Sequence, residues 1–287
     1  MDLVLELGAQ IAEGPVWDPA SSAWLFVDIT PGLVHRLDPV SGSLQTFEVG
    51  QPVSAVLPTA CGRLLLVSVH GLILCDADGS AQESFGDQLE SLPELLLNDA
   101  KVDSRGRLWT GSRDRERAGR GHLFRVDADG HATVMLDGVI VSNGLGWSPD
   151  DRHFYYIDSL AYSLRVFDFD AERGEISNGR VLVDFDPATG LPDGMSVDEH
   201  GDLWVAHFGS GTITRHAPTG EQLDMHEFPG PNVTSLAFGG PAGDEVLVTT
   251  GKYKMTDDEL AACPGAGHLY GGSWGVRGVP THAFIIA

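Results

Sequence analysis

The chain has 287 residues, of which 41 are acidic and 18 basic, and its formal net charge at pH 7 is −23. A surface this acidic repels phosphate backbones and anionic lipids, which argues against nucleic-acid and membrane partners. The chain has an odd number of cysteines (Cys61, Cys75 and Cys263), which argues against a disulfide framework. Its start lacks a positively charged leader, and its most apolar window, residues 64–75, is too short to span a bilayer. We therefore expect a soluble, cytoplasmic protein.

Short strands separated by turns are predicted along the whole chain. Its 36 glycines and 16 prolines are spread evenly, and an apolar or aromatic strand recurs every 40 to 49 residues. In chain order these six strands begin at Trp24, Leu64, Leu108, Phe154, Leu203 and Val246.

A second strand follows each of the first six after a short turn. These strands begin at Gly32, Gly71, Gly121, Ser163, Gly211 and Gly267. Six repeats of this length predict an all-β fold, a six-bladed β-propeller that forms a single domain over residues 1–287. Residues 3–7 and 282–286 are expected to close the ring, and one short helix is predicted near residues 256–262.

One polar residue stands eleven to thirteen positions before the centre of each of the first six strands. The six are Glu13, Ser54, Asn98, Asn143, Asp193 and Ser235. In a propeller these positions begin the innermost strands and face the central channel, where unpaired polar groups would be costly. All six carry oxygen, the ligand atom that hard divalent cations prefer, although Asn-Gly and Asp-Gly taken alone also fit turns. Glu13, Asn143 and Asp193 could therefore converge on one cation.

Several motifs occur in the order found in one known family. They include Glu13-Gly-Pro-Val-Trp-Asp, Asn98-Asp-Ala-Lys-Val-Asp, Ser142-Asn-Gly-Leu-Gly-Trp-Ser and Leu191-Pro-Asp-Gly-Met-Ser-Val-Asp. From about residue 10 onward the chain resembles the SMP-30/gluconolactonase/luciferin-regenerating-enzyme family, which includes regucalcin.

The resemblance implies a propeller with one divalent metal ion in its channel and, in many members, hydrolysis of sugar lactones. It implies that Glu13, Asn143 and Asp193 are the metal ligands, and that Asn98 contacts substrate or a metal-bound water. It gives Asp193 the role of general base as well, with a metal-bound hydroxide as the alternative. The metal could be Ca²⁺, Mg²⁺, Mn²⁺, Zn²⁺ or Fe²⁺, since oxygen ligands do not separate them.

The substrate-binding positions depart from the family pattern. Leu96 stands where many lactonases carry an arginine, and Ala100 replaces the glycine of Asn-Asp-Gly. The loop at residues 113–120 is short and rich in arginine, with Glu116 as the nearest candidate for a substrate-binding glutamate. These departures predict an intact metal site and a pocket that is less suited to a heavily hydroxylated sugar.

The leading hypothesis is a metal-dependent hydrolase of small-molecule lactones. One alternative is that the same metal site opens, closes or rearranges the ring of a less polar metabolite. Another is a calcium-binding regulatory propeller without turnover. Asn98 argues against this alternative, because a structural site with three ligands does not need Asn98. A strictosidine-synthase-like propeller would not need the Glu/Asn/Asp set. The sequence indicates no oligomeric state.

Overall fold

The computed structural model describes residues 1–86, 89 and 95–287 of the chain. These residues form six four-stranded antiparallel sheets, in which consecutive strands are neighbours. The predicted six-bladed β-propeller is confirmed.

Strand β1 (Asp2–Leu5) opens the chain and belongs to blade 6. Blade 1 contains β2 (Ala12–Asp18), β3 (Ala23–Asp28), β4 (Leu33–Leu37) and β5 (Leu44–Glu48). Blade 2 contains β6 (Val53–Pro58), β7 (Leu64–Ser68), β8 (Gly71–Cys75) and β9 (Glu83–Ser84). Blade 3 contains β10 (Leu95–Val102), β11 (Leu108–Asp114), β12 (Gly121–Val126) and β13 (Ala132–Val139).

Blade 4 contains β14 (Ser142–Trp147), β15 (His153–Asp158), β16 (Ser163–Asp170) and β17 (Glu175–Asp184). Blade 5 contains β18 (Leu191–Val197), β19 (Leu203–Phe208), β20 (Thr212–His216) and β21 (Gln222–Glu227). Blade 6 combines β22 (Val233–Gly239), β23 (Glu245–Thr250) and β24 (Leu269–Ser273) with β1.

Burial follows the position of each strand within its blade. The second strands are almost wholly buried because adjacent blades cover both of their faces, whereas the outer strand β21 is mostly exposed. Aromatic side chains fill the gaps between blades: Trp109 of blade 3 packs against Trp147 and Phe154 of blade 4. This packing explains why the second strands carry the strongest apolar signal in the sequence.

A recurrent aspartate turn precedes the second strand in blades 3 and 5. In blade 3 the Asp103 carboxylate accepts hydrogen bonds from the backbone N–H groups of Arg105 and Arg107 and from Trp109 Nε1. In blade 5 the Asp198 carboxylate accepts equivalent bonds, including one of 2.9 Å from Trp204 Nε1. The buried indole N–H is thereby satisfied, which fixes the turn to the strand that follows it.

Of the two terminal segments expected to close the ring, only the N-terminal one does so. β1 pairs with β24, so the N-terminal segment does complete blade 6. The C-terminal segment does not pair with it, because the Phe284 N–H donates to the Pro58 carbonyl in blade 2 and the Ile285 N–H donates to the Gly106 carbonyl in blade 3. Since the Val279 N–H donates to Val197 in blade 5, the tail spans the end of the propeller instead of joining its edge.

The predicted short helix is present as α1 (Asp257–Ala262), in the loop between β23 and β24. The Thr256 hydroxyl accepts from the Glu259 N–H, and the Glu259 carboxylate accepts from the Thr256 N–H, which forms a capping box. Two short 3₁₀ turns cover Ser159–Ala161 and Pro187–Thr189. Among the described residues, no helix has the length and apolarity needed to cross a membrane.

Candidate functional site

A β-bulge interrupts the pairing of every innermost strand near its start. The six register shifts lie between Glu13 and Val16, Val53 and Ala55, Leu97 and Ala100, Asn143 and Leu145, Pro192 and Met195, and Val233 and Ser235. A bulge adds one residue to a strand and turns a side chain away from the regular alternation. The polar residues predicted to face the channel lie in or directly beside these bulges. Asn-Gly and Asp-Gly therefore belong to bulged strands here, not to turns.

Glycine is required in two of these bulges because neighbouring blades approach closely. A Cβ atom on Gly194 would lie 2.1 Å from Ser235 Oγ in blade 6. A Cβ atom on Gly144 would lie 2.8 Å from the backbone oxygen of Asp193 in blade 5. The glycines that follow Asn143 and Asp193 thus let three blades meet around the channel.

A chain of hydrogen bonds links four blades at the level of the bulges. Ser54 Oγ donates to the Asn98 carbonyl (2.9 Å). Asn98 Nδ2 donates to Asn143 Oδ1 (2.9 Å), and Asn143 Nδ2 donates to Ser159 Oγ (2.8 Å). Ser159 Oγ donates in turn to the carbonyl of Pro192 (2.5 Å), the residue before Asp193. Three of the six residues predicted to face the channel, Ser54, Asn98 and Asn143, are thereby held in one network.

The network fixes which way the Asn143 amide points. The single hydroxyl hydrogen of Ser159 is committed to the Pro192 carbonyl, so Ser159 can only accept from Asn143. The amide nitrogen of Asn143 must therefore face Ser159, and Oδ1 faces Asn98 with one lone pair to spare. Oδ1 is the atom that a divalent cation would require.

Glu13 and Asp193 are buried carboxylates whose negative charges repel each other. Each residue is 8% exposed, and the Glu13 carboxylate accepts one hydrogen bond, from the Gly14 N–H at 2.7 Å. Burial raises the pKa of Glu13 well above its usual range, and the charges of Asp193 and Asp99 raise it further. Burial and then Asp99 likewise raise the pKa of Asp193. Buried acids that repel one another are stabilised by a cation, so this donor set fits a hard divalent ion.

Sequence reasoning missed Asp99 and Lys101, which lie deeper in the channel on β10. Asp99 is buried, and its Oδ2 atom has no hydrogen-bond partner among the described residues. Lys101 Nζ donates to the Met195 carbonyl across the channel, and burial lowers its pKa while Asp99 opposes that shift. Only the direct adjacency of Asp99 to Asn98 could have signalled its position.

The remaining predicted residues lie around the blade 3 loop. Leu96 is half-buried on β10, two residues before Asn98. Glu116 is exposed on the β11–β12 loop, where its carboxylate pairs with Arg120 Nη2 at 3.0 Å. In the structure, Asn98 and Asn143 are hydrogen-bonded to each other and the charges of Glu13 and Asp193 interact, whereas Glu116 lies on the surface of the loop.

A cavity of about 340 Å³ extends along the channel beyond these residues. Its walls include Pro15, Leu57, Asp99 and Lys101, with C-terminal residues 278–282 on one side. Glu13, Asn98, Asn143 and Asp193 are not among its lining residues, so this cavity and the candidate site occupy different levels of the channel.

Within the described part of the chain, no three His, Cys, Asp or Glu side chains gather closely enough to hold a metal ion. Any cation at the bulges would therefore depend on the Asn143 amide as well as on the two carboxylates. The fold and this arrangement define a six-bladed propeller with a polar, oxygen-lined site in its channel.

The chain belongs to the SMP-30/gluconolactonase/LRE-like family, whose sequence profile matches residues 11–252. It is 34% identical to regucalcin of Bos taurus over 294 residues, which covers 99% of this chain and 98% of that protein. Among solved structures, it is similar to regucalcin of Agrobacterium tumefaciens, described as a calcium-binding protein, with a TM-score of 0.92, 26% identity and coverage of 99% and 96%. A luciferin-regenerating enzyme gives a TM-score of 0.91 and 31% identity, with 99% of each chain covered.

Proposed function

We propose that this protein is a lactonase that requires one divalent metal ion, held by Glu13, Asn143 and Asp193. The proposal is supported by two buried carboxylates whose charges repel each other and by one oriented amide oxygen, on the inner strands of three different blades. The family's description, which includes gluconolactonase, supports a lactone as the substrate class. In the reaction, water adds to the lactone carbonyl, the ring C–O bond breaks, and the ring oxygen leaves as a hydroxyl group.

A divalent cation bound here would polarise the lactone carbonyl and stabilise the negative charge that develops on its oxygen. Asp193 accepts the proton of the attacking water. In the protein alone, burial and the nearby Asp99 raise the pKa of Asp193, and a divalent cation beside it would lower that pKa again. The assignment of Asp193 as the base therefore rests on its position in the channel and not on its pKa. The proton passes on to the ring oxygen as the C–O bond breaks, which balances the hydrolysis.

Asn98 has a restricted role in this scheme. Its Nδ2 group donates to the Ser142 carbonyl (2.7 Å) and to Asn143 Oδ1 (2.9 Å), which uses both amide hydrogens. Its Oδ1 atom is left to accept a hydrogen bond from water or from a substrate hydroxyl. Asn98 therefore orients a hydroxyl group and does not donate to the developing oxyanion.

A panel of lactones assayed in a pH-stat tests this function. Wild-type protein is assayed with excess chelator and after readdition of Ca²⁺, Mn²⁺ or Zn²⁺, beside Asp193→Asn and the control Asp224→Asn on the outer strand β21. We expect metal-dependent acid release that falls roughly 100-fold or more in Asp193→Asn and stays unchanged in the control. Hydrolysis that survives chelation, or that is equal in both variants, would contradict the proposal.

Calcium binding without turnover is the second candidate function. It is favoured by the regucalcin relatives, one of which is described as a calcium-binding protein. Calcium binding at Glu13, Asn143 and Asp193 with no product from any lactone would support it. A ring-closing or rearranging reaction on a less polar metabolite, which the apolar Leu96 would suit, would instead give a product without release of acid.

A further inference from the structure

Three arginines at the end of β11 and in the loop after it have no carboxylate partner among the described residues. The chain has fifteen arginines, and nine of them lie within 4.0 Å of an Asp or Glu oxygen. Arg113, Arg115 and Arg117 form no such pair with any described residue. In a chain with a net charge of −23, three unpaired arginines on one loop are unexpected if they serve only to hold the fold.

Arg113 lies directly beside Leu96, which was predicted to contact the substrate. It is on β11, and its cross-strand partner on β10 is Leu96. Side chains at paired positions of antiparallel strands project from the same face of the sheet. The Arg113 side chain therefore lies next to Leu96 in the sheet. Leu96 is the position at which many lactonases of the family are expected to carry an arginine.

No carboxylate among the described residues compensates the charge of Arg113. The side chain is half-buried, and its Nε atom is buried without a hydrogen-bond partner among the described residues. The adjacent Asp114 carboxylate is occupied by Arg120 and by the N–H groups of Glu116 and Ala118. A guanidinium group remains protonated in proteins, so partial burial without a counterion is unfavourable until an anion arrives.

A second basic loop follows β23 of blade 6, at the same end of the propeller as Arg113, because Val233 pairs with Thr250 there as Leu95 pairs with Asp114 in blade 3. Tyr253 lies between Lys252 and Lys254, and Lys254 Nζ is 5.1 Å from the centre of its ring. Lys254 thus adds a positive charge at this end of the propeller, whereas Lys252 Nζ lies near Gly8.

We propose that Arg113 is a specificity-determining residue that binds an ionised group, a carboxylate or a phosphate, on the lactone substrate. Leu96 forms the apolar wall beside that group. The inference rests on the proposed lactonase function and narrows its substrate class from lactones in general to anionic lactones. Because the bound group is remote from the reacting carbonyl, its loss raises KM more than it lowers kcat.

The test compares three lactones with a common sugar framework: glucono-1,5-lactone, its 6-phosphate, and glucaro-1,4-lactone, which carries a carboxylate. Wild-type protein is assayed beside Arg113→Gln, the swap Leu96→Arg/Arg113→Leu, and the control Arg152→Gln. Arg152 is 81% exposed in the β14–β15 turn and undergoes the same change of charge. Binding of gluconate, glucarate and 6-phosphogluconate is measured by calorimetry on the same four proteins.

We expect wild-type kcat/KM to be higher for at least one anionic lactone than for the neutral one. Arg113→Gln should lower that anionic value roughly 10- to 100-fold, mainly through KM, while the neutral lactone changes by less than about threefold. The swap variant should recover part of the preference, and Arg152→Gln should keep all of it. The phosphate and carboxylate substrates show which anion the site selects.

Two outcomes separate this inference from the proposed function. Equal use of neutral and anionic lactones, with Arg113→Gln affecting all three alike, overturns the anion site and leaves the lactonase intact. If no lactone is hydrolysed, the proposed lactonase function fails, but the binding measurements still test the anion site. Glucarate or 6-phosphogluconate that binds more tightly than gluconate, with the difference lost in Arg113→Gln, supports that site. Equal binding of all three acids overturns it.

Discussion

Ser159 acts on the candidate metal site through Asn143, whose amide it orients. Its hydroxyl accepts from Asn143 Nδ2 and donates to the carbonyl of Pro192, so one side chain connects a proposed ligand to the residue before another. Groups that orient a metal ligand typically change metal affinity by about 10- to 100-fold when removed. We expect Ser159→Ala to weaken divalent-cation binding by roughly tenfold, measured by competition with a chromophoric chelator. The exposed Ser210→Ala serves as its control, and equal affinities would show that Asn143 needs no such support.

Leu96 sets the prediction for neutral sugar lactones. Leucine offers no donor to a substrate hydroxyl, and an unpaired buried polar group costs roughly 1–3 kcal/mol. Neutral aldonolactones should therefore be poor substrates, and Leu96→Arg should improve kcat/KM for them relative to less polar lactones. Because Arg113 faces this position, the gain should be larger when Arg113→Leu removes the like charge. Efficient wild-type hydrolysis of gluconolactone that Leu96→Arg leaves unchanged would show that this position does not set specificity.

Some residues of the candidate site could be predicted from the sequence because they recur at one position of the repeat, and others could not. Glu13, Asn98, Asn143 and Asp193 occupy the same register in four of the six repeats, so alignment of the repeats placed them at the channel together with Ser54 and Ser235. Ligand chemistry and the family resemblance then narrowed the set. Ser159 and Arg113 have no such register. They reach the site through contacts between strands and blades that only the folded chain defines.

At the scale of single elements, the bulges of the inner strands place the site. Gly194→Ala would put a methyl group 2.1 Å from Ser235 Oγ, which the tightly packed inner strands cannot accommodate without moving. Such overpacking typically costs about 1–3 kcal/mol. We expect a lower Tm and weaker metal binding in Gly194→Ala.

The matched control for this change is Gly243→Ala, since a Cβ atom there meets nothing within 4 Å. Its backbone φ of +78° adds only the strain of a left-handed residue, on the order of 1–2 kcal/mol, and it lies away from the site. If Gly194→Ala were to bind metal as tightly as Gly243→Ala does, the bulge would not be what positions Asp193.

Strand order and strand identity were predictable because each blade repeats one pattern. A buried second strand such as β19 is a continuous run of apolar residues. The turn before it carries Asp198, which accepts a hydrogen bond from Trp204 Nε1. The path of the C-terminal tail was not predictable in the same way. Its contacts with Pro58, Gly106 and Val197 join distant blades, and no local pattern encodes them.

For the whole molecule, stability and metal binding should be separable. Apolar clusters lie between adjacent blades around the whole ring, and hydrogen bonds such as Thr234 Oγ1 to the Ala12 carbonyl (2.6 Å) join the last blade to the first. Chelation should therefore abolish turnover while the far-ultraviolet circular dichroism spectrum keeps its β-sheet form. A spectrum that collapses with chelator and returns with the metal would indicate a structural ion.

The most direct test of the metal site is anomalous diffraction from crystals of this protein soaked in Mn²⁺. We predict one dominant peak in the channel, roughly 2.0–2.6 Å from carboxylate oxygens of Glu13 and Asp193 and from Asn143 Oδ1. The peak should be absent from crystals of Glu13→Gln soaked in the same way. A peak elsewhere, or none at saturating Mn²⁺ in the wild-type protein, would contradict the account.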